Sequence, residues 1–344
     1  YSKFRNKKVV NLVKVGKYNL LELYLGPTLA FKDIAMQCIG NIYEEFNKKT
    51  DLPTNIVVAT SGDTGSAAIS ALNNRKNIKV FVLHPHNKIS KMQRKIMTTI
   101  GSKNIYNIAI KGTFDDCQKI VKEMFADDIF RQTINMSGVN SINWARIVAQ
   151  IVYYFYAAVK IGAPEKGIVF SVPTGNFGDI FAGYVASQMG LPVAGLVIAT
   201  NENDVLHRVM QSGNYKKTFL KQSHSPSMDI SVSSNFERLL FELLGRDADL
   251  CAEKMNAFST TGNFAVSIEQ LDTAKETFVA YRVDDAETTS KIKSLYSFPE
   301  GGVNFAVTTT FCPIFISDES ILISNLAWFP KLVLYSTIEI GCIT

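Results

Sequence analysis

Along much of the chain, short runs of consecutive apolar, often β-branched residues alternate with stretches in which apolar side chains return every three or four positions. Residues 55–60 (NIVVAT) form one such run, which ends at Ser61 and Gly62 before SAAISALNN takes up the helical period. The order read from this is strand, loop, helix. The unit recurs: KVFVLHP (79–85) precedes the helical ISKMQRKIMTTIG, and NIYNIAIKG (104–112) precedes DDCQKIVKEMFADD. A long amphipathic helix is expected from about 141 to 161. IVFSVPTGNFGDIFAGYVASQMG (168–190) repeats the unit, VAGLVIATN (193–201) reads as another buried strand, and helical patterns dominate from 235 to about 296.

Strands that are apolar on both faces and separated by helices belong in parallel sheets covered on both sides, so the predicted fold class is α/β. With 344 residues, the chain exceeds one typical core, and two domains are expected. No linker or fixed-period repeat marks where they divide. The segment after 296 breaks the pattern, with one lysine, no arginine and scattered Phe, Ile, Thr and Ser without a sustained period. Its window ILISNLAWF would be prone to aggregate if exposed.

Composition narrows the function classes. Apolar residues make up 47% and charged residues 19%, which is a globular balance. The net charge of +5 comes from lysines scattered among acids, densest at 3–14, with no basic helix interleaved with aromatics. That is a solvated face, and no nucleic-acid partner is expected. Cys38, Cys117, Cys251, Cys312 and Cys342 lack CxxC spacing, so neither a zinc site nor a disulfide framework is implied, and a reducing cytoplasm is the expected setting. Lys3, Arg5, Lys7 and Lys8 lead only into a short apolar run, unlike a signal peptide. Pro330, Lys331 and Glu339 interrupt the apolar stretch from 321 to 344, so no membrane span of roughly 20 apolar residues is expected. His84, His86, His207 and His224 show no metal-ligand spacing, and no metal is expected.

The candidate chemistry lies in four short segments. In LGPTLAFKD (25–33) a turn at Gly26 and Pro27 delivers Lys32, flanked by apolar residues, and a desolvated lysine amine gives up its proton readily. Taken alone, the segment reads first as a surface lysine at a helix start, paired with Asp33. In VPTGNFGD (172–179), Gly175 and Gly178 let the backbone approach an anion at a helix N-terminus, with Asn176 as an added donor. The plainer alternative is an ordinary strand-to-helix turn. The GxGxxG spacing of dinucleotide sites is absent, as is any GxxxxGK[ST] run.

ATSGDTGSAA (59–68) sets Ser61, Asp63 and Thr64 at another helix start, suited to a carboxylate, although Ser61 and Asp63 also fit as helix caps. NSINWAR (140–146) spaces Asn140, Asn143 and Arg146 three apart, near one helical face if the helix begins there. Arg146 then binds a phosphate bidentately or sits in a surface salt bridge.

Taken together, these segments, with SPSMDISVSSNFERLLFEL (225–243) and VDDAETT (283–289), resemble the threonine synthases, pyridoxal phosphate enzymes of the tryptophan-synthase-β-like fold (fold type II). The likeness runs from about Phe4 to Tyr296. It implies two parallel-sheet α/β domains with the cofactor cleft between them. A larger cofactor-binding domain would take residues 1–55 and 160–296, a smaller one 56–159, and 297–344 would be an aberrant tail left unfolded.

By the resemblance, Lys32 is the catalytic Schiff-base lysine for pyridoxal 5′-phosphate, and Gly175, Asn176, Phe177, Gly178 and Asp179 hold the cofactor phosphate. Ser61, Asp63 and Thr64 surround the substrate carboxylate and cofactor ring, while Asn140, Ser141 and Arg146 bind the substrate phosphate. The implied reaction converts O-phospho-L-homoserine and water to L-threonine and phosphate, the last step of threonine biosynthesis and a carbon-oxygen lyase acting on phosphates.

The sequence also departs from the family pattern. Leu25 stands where the family usually has histidine before GPT. The family's N-terminal segment and its TAHPAKF-like C-terminal motif, whose threonine meets the pyridine nitrogen, do not appear, and the ending resembles a shifted reading frame. A truncated chain of low or no turnover is the expectation. The alternatives are a non-catalytic threonine-synthase-like protein and a related dehydratase acting on serine or threonine.

Overall fold

The computed structural model describes residues 1–296, apart from 6, 16, 17, 50, 51 and 142, together with 321–324. In chain order the elements begin with β1 (Asn11–Val15), β2 (Tyr18–Glu22), α1 (Lys32–Asn47), β3 (Thr54–Ala59), α2 (Asp63–Leu72) and β4 (Ile78–Pro85). There follow α3 (Lys91–Thr98), β5 (Ile105–Ile110), α4 (Phe114–Ala126), α5 (Asp128–Thr133), β6 (Met136–Gly138) and α6 (Trp144–Ile161). Then come β7 (Ile168–Pro173), α7 (Gly178–Gln188), β8 (Val193–Thr200), α8 (Val205–Ser212), β9 (Asn214–Lys216) and α9 (Phe236–Leu243). The remainder is α10 (Ala248–Thr261), β10 (Asn263–Ala265), α11 (Ile268–Lys275), β11 (Phe278–Arg282), α12 (Asp285–Tyr296) and β12 (Ile321–Ser324). None of the described helices is long and apolar enough to cross a membrane.

These elements form two compact units, one from residues 1–9 and 23–149 and the other from 10–22 and 150 onward. The first holds a wholly parallel sheet in the order β5-β4-β3-β6. Alternation along β3 sorts its side chains between two cores. Ile56 and Val58 join Met36 and Ile39 of α1, Ala67, Ala68, Ile69, Ala71 and Leu72 of α2 and Met97 of α3 on one face. Val57 and Ala59 join Cys117 and Val121 of α4 on the other. The shared core also explains a boundary that differs from the sequence reading. Residues 23–55, assigned there to the larger domain, belong to the first unit because α1 lies against α2 and buries its apolar face in the same cluster.

In the second unit β7, β8 and β11 pair in parallel, and β12 lies between β7 and β2, with the antiparallel β1–β2 hairpin at the edge. The sequence reading of the tail as unfolded otherwise lies outside the described residues; only β12 of that segment is among them. A rank of aromatic rings fills the space around α7, α9 and the small β9–β10 pair. Tyr215 stacks on Phe236 at 5.0 Å and on Phe264 at 4.8 Å between centroids, and Phe177 meets Phe236 edge-on at 5.5 Å. The stretch 235–296, read as helical, contains β10 and β11 as well, short strands whose apolar positions are few enough to merge into the flanking helical pattern.

In both sheets the strand at which the connection order reverses, β3 in the first unit and β7 in the second, carries a candidate loop at its C-terminal end. Open parallel sheets bind ligands at such places.

Ile56 is fully buried at the centre of the first unit's sheet, so Ile56→Ala is expected to cost about 2–5 kcal/mol of stability. A denaturant titration followed by circular dichroism would show the lowered midpoint.

Candidate active site

Lys32 is the first residue of α1, and the turn before it is pinned from within. The Asp33 carboxylate accepts from the Thr28 backbone N–H and from the Thr28 hydroxyl, each at 2.7 Å. Gly26 lies against Asp33 so closely that a Cβ there would collide with the carboxylate. Asp33 is fully buried, and burial pushes its pKa up to about 6 against the lowering effect of the Thr28 hydrogen bonds. The reading of Lys32 as a surface lysine paired with Asp33 therefore fails. Consecutive helical residues point different ways, and Asp33 turns inward to the Gly26–Thr28 turn while Lys32 turns toward α2.

There Lys32 Nζ lies 3.2 Å from Asp63 Oδ2, each side chain only 13% exposed, and 5.5 Å from the centroid of the Phe31 ring. Burial lowers the Lys32 pKa; Asp63 opposes this, the charge of Arg146 lowers it further, and Asp33 raises it. The net effect, led by burial, favours the neutral amine.

Asp63 is itself the first residue of α2 and does not cap it. That task falls to Thr60, whose Oγ1 accepts from Gly62 N at 2.9 Å and Gly65 N at 2.8 Å. Gly62 has φ +141°, a conformation that L side chains rarely adopt, and a Cβ there would also strike the Gln93 amide. Ser61 sits in this loop and Thr64 follows Asp63 on the helix, both half-buried. Asp63 Oδ1 accepts from Gln93 Nε2 at 2.5 Å.

The segment before α6 differs from the sequence expectation. The helix begins at Trp144 instead of about 141, because Asn143 Oδ1 accepts from Ala145 N and its amide donates to the Gly138 carbonyl. Asn140 and Asn143 therefore share no helical face with Arg146. Asn140 donates from Nδ2 to the Ala59 carbonyl at 3.1 Å, which ties it to the end of β3, and its buried Oδ1 has no hydrogen-bond partner among the described residues. Ser141 occupies the turn that follows. Arg146 is not a surface residue: it is 4% exposed and donates from a terminal guanidinium nitrogen to the Val139 carbonyl at 3.3 Å. Lys32, Asp63, Asn140 and Arg146 thus gather around the C-terminal end of β3 in the first unit.

In the second unit, the loop after β7 is held by the segment before α9. Ser233 Oγ donates to the Gly175 carbonyl at 2.8 Å, and Asn235 donates to the Asn176 carbonyl from its backbone N at 3.0 Å and from its side-chain amide at 3.1 Å. Gly175 packs against Ile230, where a Cβ would come within 2.8 Å. Phe177 takes a left-handed φ of +64° at the N-cap of α7, with no side-chain cap bond, and its buried ring sits in the aromatic cluster. Gly178 opens the helix and leaves its first N–H groups to the loop side, as an anion site requires. Asp179 is different in kind: its buried carboxylate accepts from the hydroxyls of Tyr153 and Tyr154, so it anchors α7 to α6.

Thr60, Gln93 and Ser233 were not singled out from the sequence. A threonine two residues ahead of a glycine N-cap and the S-x-x-Q run at 90–93 were signals available for the first two.

Each unit by itself offers features that fit pyridoxal phosphate: in the first, a buried amine of lowered pKa and a buried Asn140 amide oxygen with no hydrogen-bond partner among the described residues; in the second, a glycine loop ending at a helix whose N-cap residue makes no side-chain cap bond. Comparison with known proteins agrees. The family model described as pyridoxal-phosphate dependent enzyme matches residues 17–267. A threonine synthase of Pseudomonas aeruginosa is 51% identical over 297 residues, covering 86% of this chain and 63% of its own length. One from Methylobacillus glycogenes is 42% identical over 325 residues, covering 87% of this chain and 68% of that one. Among solved structures, a PLP-bound threonine synthase from Brucella melitensis superimposes with a TM-score of 0.87 at 42% identity, over 99% of this chain and 74% of that one. The chain spans a little under two thirds of the length of the Pseudomonas relative.

Two outcomes follow from the geometry. Thr60→Val removes the acceptor for two buried N–H groups and should cost about 1–2 kcal/mol in a urea titration. Asp33 has a folded pKa above its unfolded value, so its contribution to stability is present at low pH and is lost as pH rises from about 4 through about 6. Relative to Asp33→Asn, the parent chain should therefore gain about 2 kcal/mol between pH 7 and pH 4, read from denaturant midpoints across that range.

Proposed function

We propose that this chain, which belongs to the threonine synthase family of pyridoxal-phosphate dependent enzymes, converts O-phospho-L-homoserine and water to L-threonine and phosphate. The observation that carries the reading is the Lys32 amine, buried beside Asp63 with Arg146 close enough to depress its protonation. Bound pyridoxal phosphate supplies an electron sink for proton removal next to an amino-acid carboxylate. Lys32 would hold the cofactor, and its Nζ amine would carry the proton.

The other residues follow from their settings. Ser61 and Thr64, with the N–H groups at the start of α2, take the substrate carboxylate, and Asp63 keeps the lysine aligned. The backbone of Gly175, Asn176, Phe177 and Gly178, with the Asn176 side chain, takes the cofactor phosphate. Asp179 contributes through its backbone and its anchoring of α7, since its carboxylate is held by two tyrosines and would repel a phosphate. Asn140, Ser141 and Arg146 take the substrate phosphate. For Arg146, a buried guanidinium offers a dianion a charge-assisted bond worth more than one in water. A small-molecule substrate, a cytoplasmic setting and no nucleic-acid or membrane partner belong to the same reading.

The test begins with borohydride reduction of the chain loaded with pyridoxal phosphate, followed by peptide mapping. Label confined to Lys32, and lost in Lys32→Ala, is expected; label spread over surface lysines overturns the assignment. Phosphate release from O-phospho-L-homoserine should then fall at least about a hundredfold in Lys32→Ala. Ammonia release from serine or threonine without the phosphorylated substrate would point to a dehydratase. Labelled Lys32 with no turnover of any of these would point to a binding protein.

A further inference from the structure

The Lys32–Asp63 pair is not closed by its own two members. Asp63 presents one carboxylate oxygen to Lys32 Nζ at 3.2 Å and the other, Oδ1, to Gln93 Nε2 at 2.5 Å. Gln93 belongs to α3, a different element, and is 8% exposed. Its amide is oriented from the far side. Ser90, the N-cap of α3, accepts from Gln93 N at 3.1 Å and donates its hydroxyl to Gln93 Oε1 at 3.0 Å. With Oε1 occupied as an acceptor, the amide must turn its N–H₂ toward Asp63. The same amide fills the space where a Cβ at position 62 would stand, so the glycine of the α2 start and the glutamine of α3 are fitted to each other.

We infer that Gln93, set by Ser90, is a positioning residue for the proposed cofactor lysine: its amide fixes the Asp63 carboxylate so that the remaining oxygen holds Lys32 Nζ. The inference rests on the reading of Lys32 as the amine that carries the cofactor. A hydrogen bond donated to a carboxylate favours its ionised form. Gln93 therefore keeps Asp63 charged, and a charged Asp63 holds the Lys32 ammonium against burial and against Arg146. The charged groups that act on Lys32 include Asp33 on its own helix, Asp63 on α2 and Arg146 on α6. Gln93 acts on Lys32 through Asp63.

Two near-isosteric substitutions carry opposite signs. Gln93→Leu removes the donor, leaves Asp63 less willing to be charged, and lowers the Lys32 pKa further. Gln93→Glu sets a second carboxyl beside Asp63 and raises it. The experiment is competitive labelling of amines in the cofactor-free full chain across pH 6–11, with the Lys32 peptide quantified by mass spectrometry. The expected result is a Lys32 midpoint moved down by about half a unit to one unit in Gln93→Leu and up by a similar amount in Gln93→Glu. Ser90→Ala should move it down by less. Should Gln93→Leu fail to fold, Ser90→Ala and Gln93→Glu still supply the opposed pair.

A residue serving only to pack α3 would alter the denaturation midpoint and leave the Lys32 titration in place. Unchanged midpoints, or shifts of one sign in every variant, overturn the inference. Labelling needs no cofactor, so the outcome stands apart from the function assigned to the chain. Opposed shifts with borohydride label scattered over surface lysines would keep the positioning and discard the cofactor assignment. Label on Lys32 with unmoved titrations would do the reverse.

Discussion

An amine drawn out of water beside the Asp63 carboxylate sets the terms on which the first unit is built. Desolvation disfavours the ammonium, and the guanidinium of Arg146 adds to the disfavour, while Asp63, held within reach, is the largest of the influences that support the charge. Reach depends on where two helices begin. Lys32 opens α1 and Asp63 opens α2, each at the first helical position, so a slip of one residue in either would swing its side chain about 100° around the helix axis. The turn clamped by Asp33 and the loop clamped by Thr60 prevent that slip. Packing of α1 and α2 into one apolar cluster holds the two starts together. Local hydrogen bonding and core packing thus serve the same small geometry.

Much of this architecture was legible in the sequence because the strands of parallel sheets are apolar on both faces. Runs such as those of β3, β4, β7 and β8 stand out from amphipathic helices without knowledge of their partners. Strands β10 and β11 were hidden for the opposite reason: they are short, and β11 buries only alternate residues beside longer helical patterns. The start of α6 was misplaced because periodicity says nothing about caps, and Asn143 holds the chain out of the helix until Trp144.

The candidate site divides in the same way. Lys32, Asp63 and Arg146 announce themselves as residue types that the chemistry needs. Their arrangement was beyond reach, since the partner of Lys32 proved to lie 31 positions away and not next to it. Gln93 is the clearest omission: its own helix carries a capping signal, but nothing along the chain says that its amide would meet a carboxylate from α2. Asp179 shows the converse. Its position after a glycine loop suggested a ligand contact, and only the hydroxyls of Tyr153 and Tyr154 reveal an anchor between helices.

The division of the chain into units has a consequence for how it emerges from a ribosome. Apart from residues 1–9, everything in the first unit lies in one unbroken stretch, 23–149, so its sheet and both cores can close before anything downstream exists. The β1–β2 hairpin is made earlier still, yet it belongs to a sheet whose next strands come only after residue 150. During synthesis it trails ahead of a finished neighbour as a two-stranded ribbon, too small to be stable alone and carrying an open edge. Long-range pairing of that kind is slow. Of the two units, the second is therefore the one whose sheet waits on strands far along the chain.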